Sequence, residues 1–190
     1  VSLAVCHARS PETRNGFAER FGCAPVSFES LLGLELDGVL VATPHSTHRE
    51  VVVPLRDACH NVMVEKPIAL TVADALVCVE AAERAGTILA VSHFRRRLAG
   101  TRAIKAAIVD GGLGTIHAVE GWFSRPWGVQ VDRSWRDDPT ESPLGGMTAL
   151  GIHLVDNFHY LVGPVARVSC LSRQIEAITA IDDITFALFE

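Results

Sequence analysis

The chain has 190 residues, 48% of them hydrophobic, and a formal net charge of -5, which is enough apolar material for one large or two small packed domains. An acidic balance without runs of like charge argues against a nucleic-acid or membrane-surface partner, and apolar stretches such as Val51 to Leu55 fall far short of the roughly 20 residues that cross a bilayer. The five cysteines (Cys6, Cys23, Cys59, Cys78 and Cys170) are odd in number and lack close pairing, so they predict small buried thiols in a reducing, cytoplasmic compartment rather than disulfides or a zinc site.

Val1 to Cys6 reads as a strand, with no signal peptide in view before it. Ser10 then stands as an N-cap before Pro11 at the first helical position, and the helix runs to Phe21 and stops at Gly22. A short strand near Pro25 to Ser27 and a helical turn over Ser30 to Leu32 follow. Gly38 to Ala42 is a continuous apolar run of the kind buried on both faces of a parallel sheet. His48 to Cys59 is helical, Asn61 to Glu65 a strand, Thr71 to Ala85 a helix closed by Gly86, and Ile88 to His93 another strand. This alternation predicts βαβ units in a doubly wound α/β sheet.

After the cluster Arg95-Arg96-Arg97 a helix covers Gly100 to Asp110, and the pattern changes. Ile116 to Ser124, Arg167 to Arg173 and Ile184 to Phe189 read as strands, and Met147 to Val162 is the only long helix among them. Strands without a helix between each pair predict an antiparallel or mixed sheet, hence an α+β domain. The expected division is residues 1–96 and 97–190. The segment Arg125 to Gly146, rich in Pro, Asp, Gly and Trp, is expected to be a long functional loop.

Ligands of open α/β sheets bind beyond the carboxyl ends of the strands, and Val64-Glu65-Lys66-Pro67 stands at one such end. Around it, Ala42-Thr43-Pro44-His45-Ser46-Thr47-His48, Val91-Ser92-His93-Phe94-Arg95-Arg96-Arg97, Trp135-Arg136, Gly145-Gly146 and Gly151-Ile152-His153-Leu154-Val155-Asp156 follow in order. In that order and spacing the chain resembles the glucose-fructose oxidoreductase / inositol dehydrogenase family (Gfo/Idh/MocA) over nearly its whole length.

The resemblance implies a Rossmann-type sheet followed by an α+β domain, and hydride transfer between a nicotinamide cofactor and a sugar, polyol or similar small hydroxy or oxo compound. It puts Thr43, Pro44 and His45 in the loop against the dinucleotide, where the family more often has Asn in place of His45. His48 matches the family histidine that opens the next helix, as a cofactor residue or as one bonding local backbone. Glu65 and Lys66 match the pair near the nicotinamide, with Lys66 as catalytic lysine, and His153 matches the acid/base histidine. Arg96, Trp135, Arg136 and Asp156 are expected on the substrate side. The expected partners are a small-molecule substrate and other copies of the chain through the C-terminal sheet.

Imidazole and ammonium suit this chemistry, the first to take the hydroxyl proton and the second to stabilise the developing alkoxide. Two departures qualify the match. Many family members carry an aspartate four residues before the histidine, where this chain has Ala149; Asp156 shares the helical face and offers another carboxylate. At the end of the first strand, Ala8-Arg9-Ser10 lacks the acidic residue that bonds the ribose of NAD, and Arg9 and Ser10 favour NADP. The Gly-rich turn that opens such folds does not occur, so a βα unit of roughly 25–30 residues is expected upstream of Val1, and without it the fragment is expected to be inactive and prone to aggregate.

Overall fold

The computed structural model describes residues 2–124, 135–178 and 180–190. Strand β1 (Val5–Cys6) pairs in parallel with β2 (Ala24–Pro25), and helix α1 (Pro11–Phe21) joins them. The helix begins where Ser10 accepts from the Thr13 amide (3.4 Å) and ends at Gly22, whose φ of 68° is the left-handed conformation a glycine adopts without steric cost. The short helix α2 (Phe28–Leu32) leads into a second parallel sheet in the order β3 (Val39–Val41), β4 (Val62–Val64), β5 (Leu89–Val91). Helices α3 (His48–Asp57) and α4 (Val72–Ala85) make its crossovers and pack on each other. No ladder joins β1 to β3 among the described residues.

The strands are β-branched and in register, Val39 opposite Val62 and Val64 opposite Val91. Val41, Val62 and Val64 meet Val52 and Leu55 of α3 and Cys78 of α4 in one apolar core, against which Val5 of β1, Val26 just after β2 and Phe28 of α2 also pack. Arg56 lies inside this layer with no exposed surface. Its guanidinium donates to the carbonyls of His60 and Ile88, each at 2.6 Å. It thus ties the end of α3 to the start of β5: the His60 carbonyl gains a donor, and the Ile88 carbonyl takes the guanidinium beside the Val62 amide (2.9 Å).

The second half begins with α5 (Ala99–Val109), which packs against α6 (Ile152–Val162). A two-stranded antiparallel sheet, β6 (Val168–Arg173) and β7 (Ile184–Phe189), completes it. The first-half elements fall close to where the sequence pattern places them: β3, β4 and β5 are shorter by a residue or more at each end, β1 keeps only the last two residues of its expected span, and β2 lies at Ala24–Pro25 rather than Pro25 to Ser27.

Two expectations are corrected. Ile116 to Ser124 has no regular secondary structure and belongs to no sheet among the described residues. A strand needs a free ladder edge beside it, and this segment instead lies against α6, so close that a side chain at Gly121 would strike Phe158 and Leu154. The helix expected over Met147 to Val162 starts as a π turn, Met147–Gly151. Of the long loop, residues 125–134 lie outside the described residues; the remainder opens with a 3₁₀ turn, Trp135–Asp137. No helix among the described residues is long and apolar enough to cross a membrane.

Replacing Arg56 with methionine keeps most of the volume and removes every donor. The His60 carbonyl is then left without a partner, at about 1–3 kcal/mol, while that of Ile88 keeps the Val62 amide. Urea unfolding of R56M should show a loss of about 1–3 kcal/mol; no measurable loss would mean that the guanidinium is only filling space.

Candidate active site

The carboxyl ends of β3, β4 and β5 lie side by side, and each runs into a short segment of polar residues: Thr43 to Thr47, Glu65 to Pro67, and Ser92 to Arg97. A parallel sheet aims all its strand ends the same way, so residues distant in sequence are collected on one ledge. His48 staples two of these segments. It has no exposed surface, and its ring nitrogens face the carbonyls of Pro67 (2.8 Å) and Thr43 (3.0 Å). Both ring nitrogens are thus engaged by main chain of the two loops. Thr47 Oγ1 donates to the Pro44 carbonyl (2.8 Å), which closes the first loop on itself.

From the second segment Lys66 extends across to the other half of the chain, where its Nζ donates to the Ala149 carbonyl at 2.6 Å. Ala149 sits in the π turn, and the turn delivers His153, buried in the first turn of α6. Main chain inside a π turn bonds at wider spacing than in an α-helix, and such turns recur at functional sites. Lys66 and His153, expected to act together, are thus brought to one place. Burial pushes the Lys66 ammonium below its usual range, with Arg136 adding to the effect and Glu65 opposing it. His153 is pushed down to about 4, first by burial and then by Lys66, Arg95 and His93, with Glu65 the carboxylate opposing them.

The third segment supplies Phe94, edge-on to His153 at 5.3 Å, and Arg96. Arg96 Nε donates to Asp156 Oδ2 (2.9 Å) while its terminal nitrogen takes Oδ1. Both were expected against the substrate, and they are bonded to each other. His93, at the head of this segment, places Nδ1 3.7 Å from Asp156 Oδ1 and its ring 6.4 Å from that of His153.

A strap from the second half crosses the first loop. Glu141 accepts from the Ser46 amide (2.9 Å) and hydroxyl, and its carbonyl accepts from His45 Nδ1 (2.8 Å). Trp135 stands edge-on to His45 at 4.8 Å, and Arg136 lies 4.1 Å over the indole. Burial lowers the His45 imidazole below its ordinary value. The strap leaves at Gly145, which has a φ of 48° and backs so closely on Asp182 that no side chain fits. Arg9 and Ser10 lie elsewhere, exposed beyond β1, where Ser10 is occupied as the cap of α1.

Sequence reasoning missed His93 and Glu141. His93 was within reach of the rule that singled out Glu65 and Lys66, since it too is a polar residue at a strand end. Glu141 carries no local signal, because its partners are more than ninety residues away in sequence.

Residues 2–93 match the model of an oxidoreductase family with an NAD-binding Rossmann fold. Residues 101–190 match the GFO/IDH/MocA C-terminal domain. The chain is 32% identical over 151 residues to the 1,5-anhydro-D-fructose reductase of Ensifer adhaerens, covering 79% of this chain and 44% of that protein. It superposes on a protein described as an NADPH-dependent oxidoreductase from Desulfitobacterium hafniense with a TM-score of 0.93 and 29% identity, over 100% of this chain and 56% of that one. The WlbA dehydrogenase from Bordetella pertussis, crystallised with NADH and UDP-GlcNAcA, gives a TM-score of 0.87 and 26% identity over 99% and 55% of the two chains. The chain therefore spans about half the length of the relatives it matches. With its first half matching the Rossmann model and its second the C-terminal model, in the order the strand-end motifs require, the chain belongs to the Gfo/Idh/MocA oxidoreductase family.

Proposed function

We propose that this chain is part of a nicotinamide-dependent dehydrogenase or reductase that exchanges a hydride with a sugar, polyol or similar small hydroxy or oxo compound. The observation that carries the reading is the Lys66 ammonium at the strand ends, held at hydrogen-bond distance from the main chain that delivers His153. Residues 1–96 act as the dinucleotide-binding part and residues 97–190 as the substrate and assembly part. The ledge fits the nicotinamide end of a dinucleotide: Thr43, Glu65 and Lys66 line the strand ends, and His93 and His153 each keep a buried Nδ1 without a partner. When bound, the dinucleotide supplies the hydride acceptor or donor.

Lys66 polarises the substrate oxygen and stabilises charge that develops on it as the hydride leaves. A half-buried ammonium does this better than one in bulk water, because there is less solvent to screen it. His153, on the same side, contacts that oxygen as a neutral imidazole above about pH 4. Trp135 and Arg136 close the site from the strap. Arg9 and Ser10 take the 2′-phosphate of NADP, with NAD the less favoured cofactor. The exposed apolar side chains Val168, Leu171, Phe186 and Leu188 of β6 and β7 support assembly of copies through this sheet, in the cytoplasm.

A second reading, a dinucleotide-binding sensor without turnover, draws on Ala149, an apolar residue where many relatives have a carboxylate. Incubating the intact protein with NADP or NAD and a panel of aldoses, glycosides and polyols separates the two. Absorbance of reduced dinucleotide supports the enzyme, whereas tight dinucleotide binding with no reduction across the panel supports the sensor.

In the intact protein, K66A should lower turnover by about 10²–10³-fold while the dinucleotide Kd changes little, as fluorescence titration would report; an unchanged turnover number removes Lys66 from the chemistry. Parent protein should bind NADP more tightly than NAD, and R9A should weaken NADP alone. Equal affinities in the parent would overturn the preference.

A further inference from the structure

The charges around the ledge do not balance. Arg96 is neutralised by Asp156 through both carboxylate oxygens. The Lys66 ammonium is held by the Ala149 carbonyl, with Glu65 as its nearby carboxylate. Arg95, in the 3₁₀ turn Phe94–Arg97 that follows β5, has neither kind of partner. It is half-buried, its Nε is enclosed without a hydrogen-bond acceptor, and no carboxylate or carbonyl takes its N–H groups among the described residues. Buried N–H groups are ordinarily satisfied, so a guanidinium left in this state points to an acceptor that arrives with a ligand.

What holds Arg95 is aromatic. Its guanidinium carbon lies 4.5 Å from the centre of the Phe123 ring and 5.7 Å from that of Phe94. Cation–π attraction compensates the charge only in part, and it leaves the planar N–H fork available for the two oxygens of a carboxylate or phosphate. Phe94 is shared with the reacting centre: its ring is also 5.3 Å from that of His153, and 53% of the residue is exposed. Arg95 is near enough to His153 for its charge to bear on the imidazole. A small compound whose oxygen reaches Lys66 and His153 thus has an open aromatic ring beside it and an uncompensated cation next to that ring. Phe123 belongs to the second half of the chain, which places the guanidinium on the side assigned above to the substrate.

We propose that Arg95 is a specificity-determining residue that grips an oxyanion of the substrate, so that the compound oxidised or reduced at Lys66 and His153 is a sugar acid or a sugar phosphate rather than a neutral sugar. This rests on the dehydrogenase reading given above and narrows it. The reacting hydroxyl or carbonyl lies at Lys66 and His153, the sugar ring lies against Phe94, and the carboxylate or phosphate takes Arg95 in a two-pronged pair. Part of the guanidinium's water is already gone before the ligand arrives, so the pair forms with less solvent to screen it.

Matched pairs of substrates decide it. The intact protein is assayed with hexuronates beside the neutral hexoses of the same configuration, and with hexose 6-phosphates beside the free hexoses, each with NADP and NAD. One charged class should exceed its neutral partners by about 10–100-fold in kcat/KM, and which class does so distinguishes carboxylate from phosphate. R95Q should bring that ratio close to one, and R95K, which keeps the charge without the fork, should leave it in between. A ratio at or below one for both classes in the parent overturns the proposal without recourse to any variant, as does a preference that R95Q leaves intact. Calorimetry needs no turnover: the dinucleotide-saturated parent should bind a hexuronate or hexose 6-phosphate more tightly than the neutral partner, and R95Q should lose the difference. If R95Q weakens the dinucleotide as much as it weakens the charged sugar, Arg95 serves the cofactor's phosphates and the idea is sunk. If no sugar reduces either dinucleotide, the dehydrogenase reading fails, and the calorimetric difference still decides whether Arg95 binds an oxyanion.

Discussion

Lys66 leaves the end of β4 and closes on the Ala149 carbonyl, and that single bond sets the distance between a strand of the parallel sheet and the π turn before α6. A half-buried ammonium must be solvated by something, and here the solvating atom is main chain from the other half of the protein. Had the partner been a flexible carboxylate, the two halves could drift while keeping the contact; a carbonyl inside a helical turn has no such freedom. His153, delivered by the first turn of α6, inherits its position from this bond. The electrostatics follow from it too, since the ammonium that locates the histidine also discourages its protonation.

A second fixed element stands beside the first. Arg96 and Asp156 satisfy one another in a two-pronged pair, which gives the buried carboxylate a defined direction. Removing Arg96 would strand the Asp156 carboxylate in a place with little water, so the pair is costly to break from that side even where its net contribution to folding is small. The site is thus framed by two charged residues that are immobile for different reasons, one bonded to backbone and one to its counter-ion, with two imidazoles between them.

Much of the fold was legible because the first half obeys local rules. Ser10, Pro11 and Gly22 are a cap, a first-turn proline and a left-handed stop, and each acts within a few residues of itself. The apolar triplets of β3, β4 and β5 carry their own burial signal. Lys66 and His153 were legible by motif and order. What escaped depends on partners that no local pattern encodes. Ile116 to Ser124 has strand composition, but whether it joins a ladder is decided by which edges are free nearby. Nothing local marks Arg56 as a buried arginine; its guanidinium is held by the carbonyls of His60 and Ile88, which lie in separate parts of the chain. Glu141 became part of the site only because the strap folds back over Ser46.

The π turn of Met147–Gly151 has a consequence for how this sequence can change over time. Such a turn amounts to one residue more than an α-helix would hold over the same span, and each residue of an α-helix advances the chain by about 100°. Losing a single codon between Met147 and Gly151 would let the segment relax into continuous α-helix with every remaining side chain chemically intact. The phase between Ala149 and His153 would then jump by about a quarter turn, and the histidine would leave Lys66 behind. Substitutions there can be absorbed by small shifts of packing, but a deletion is a rotation. The site is therefore far more exposed to the loss of one residue in this turn than to most exchanges of one residue for another.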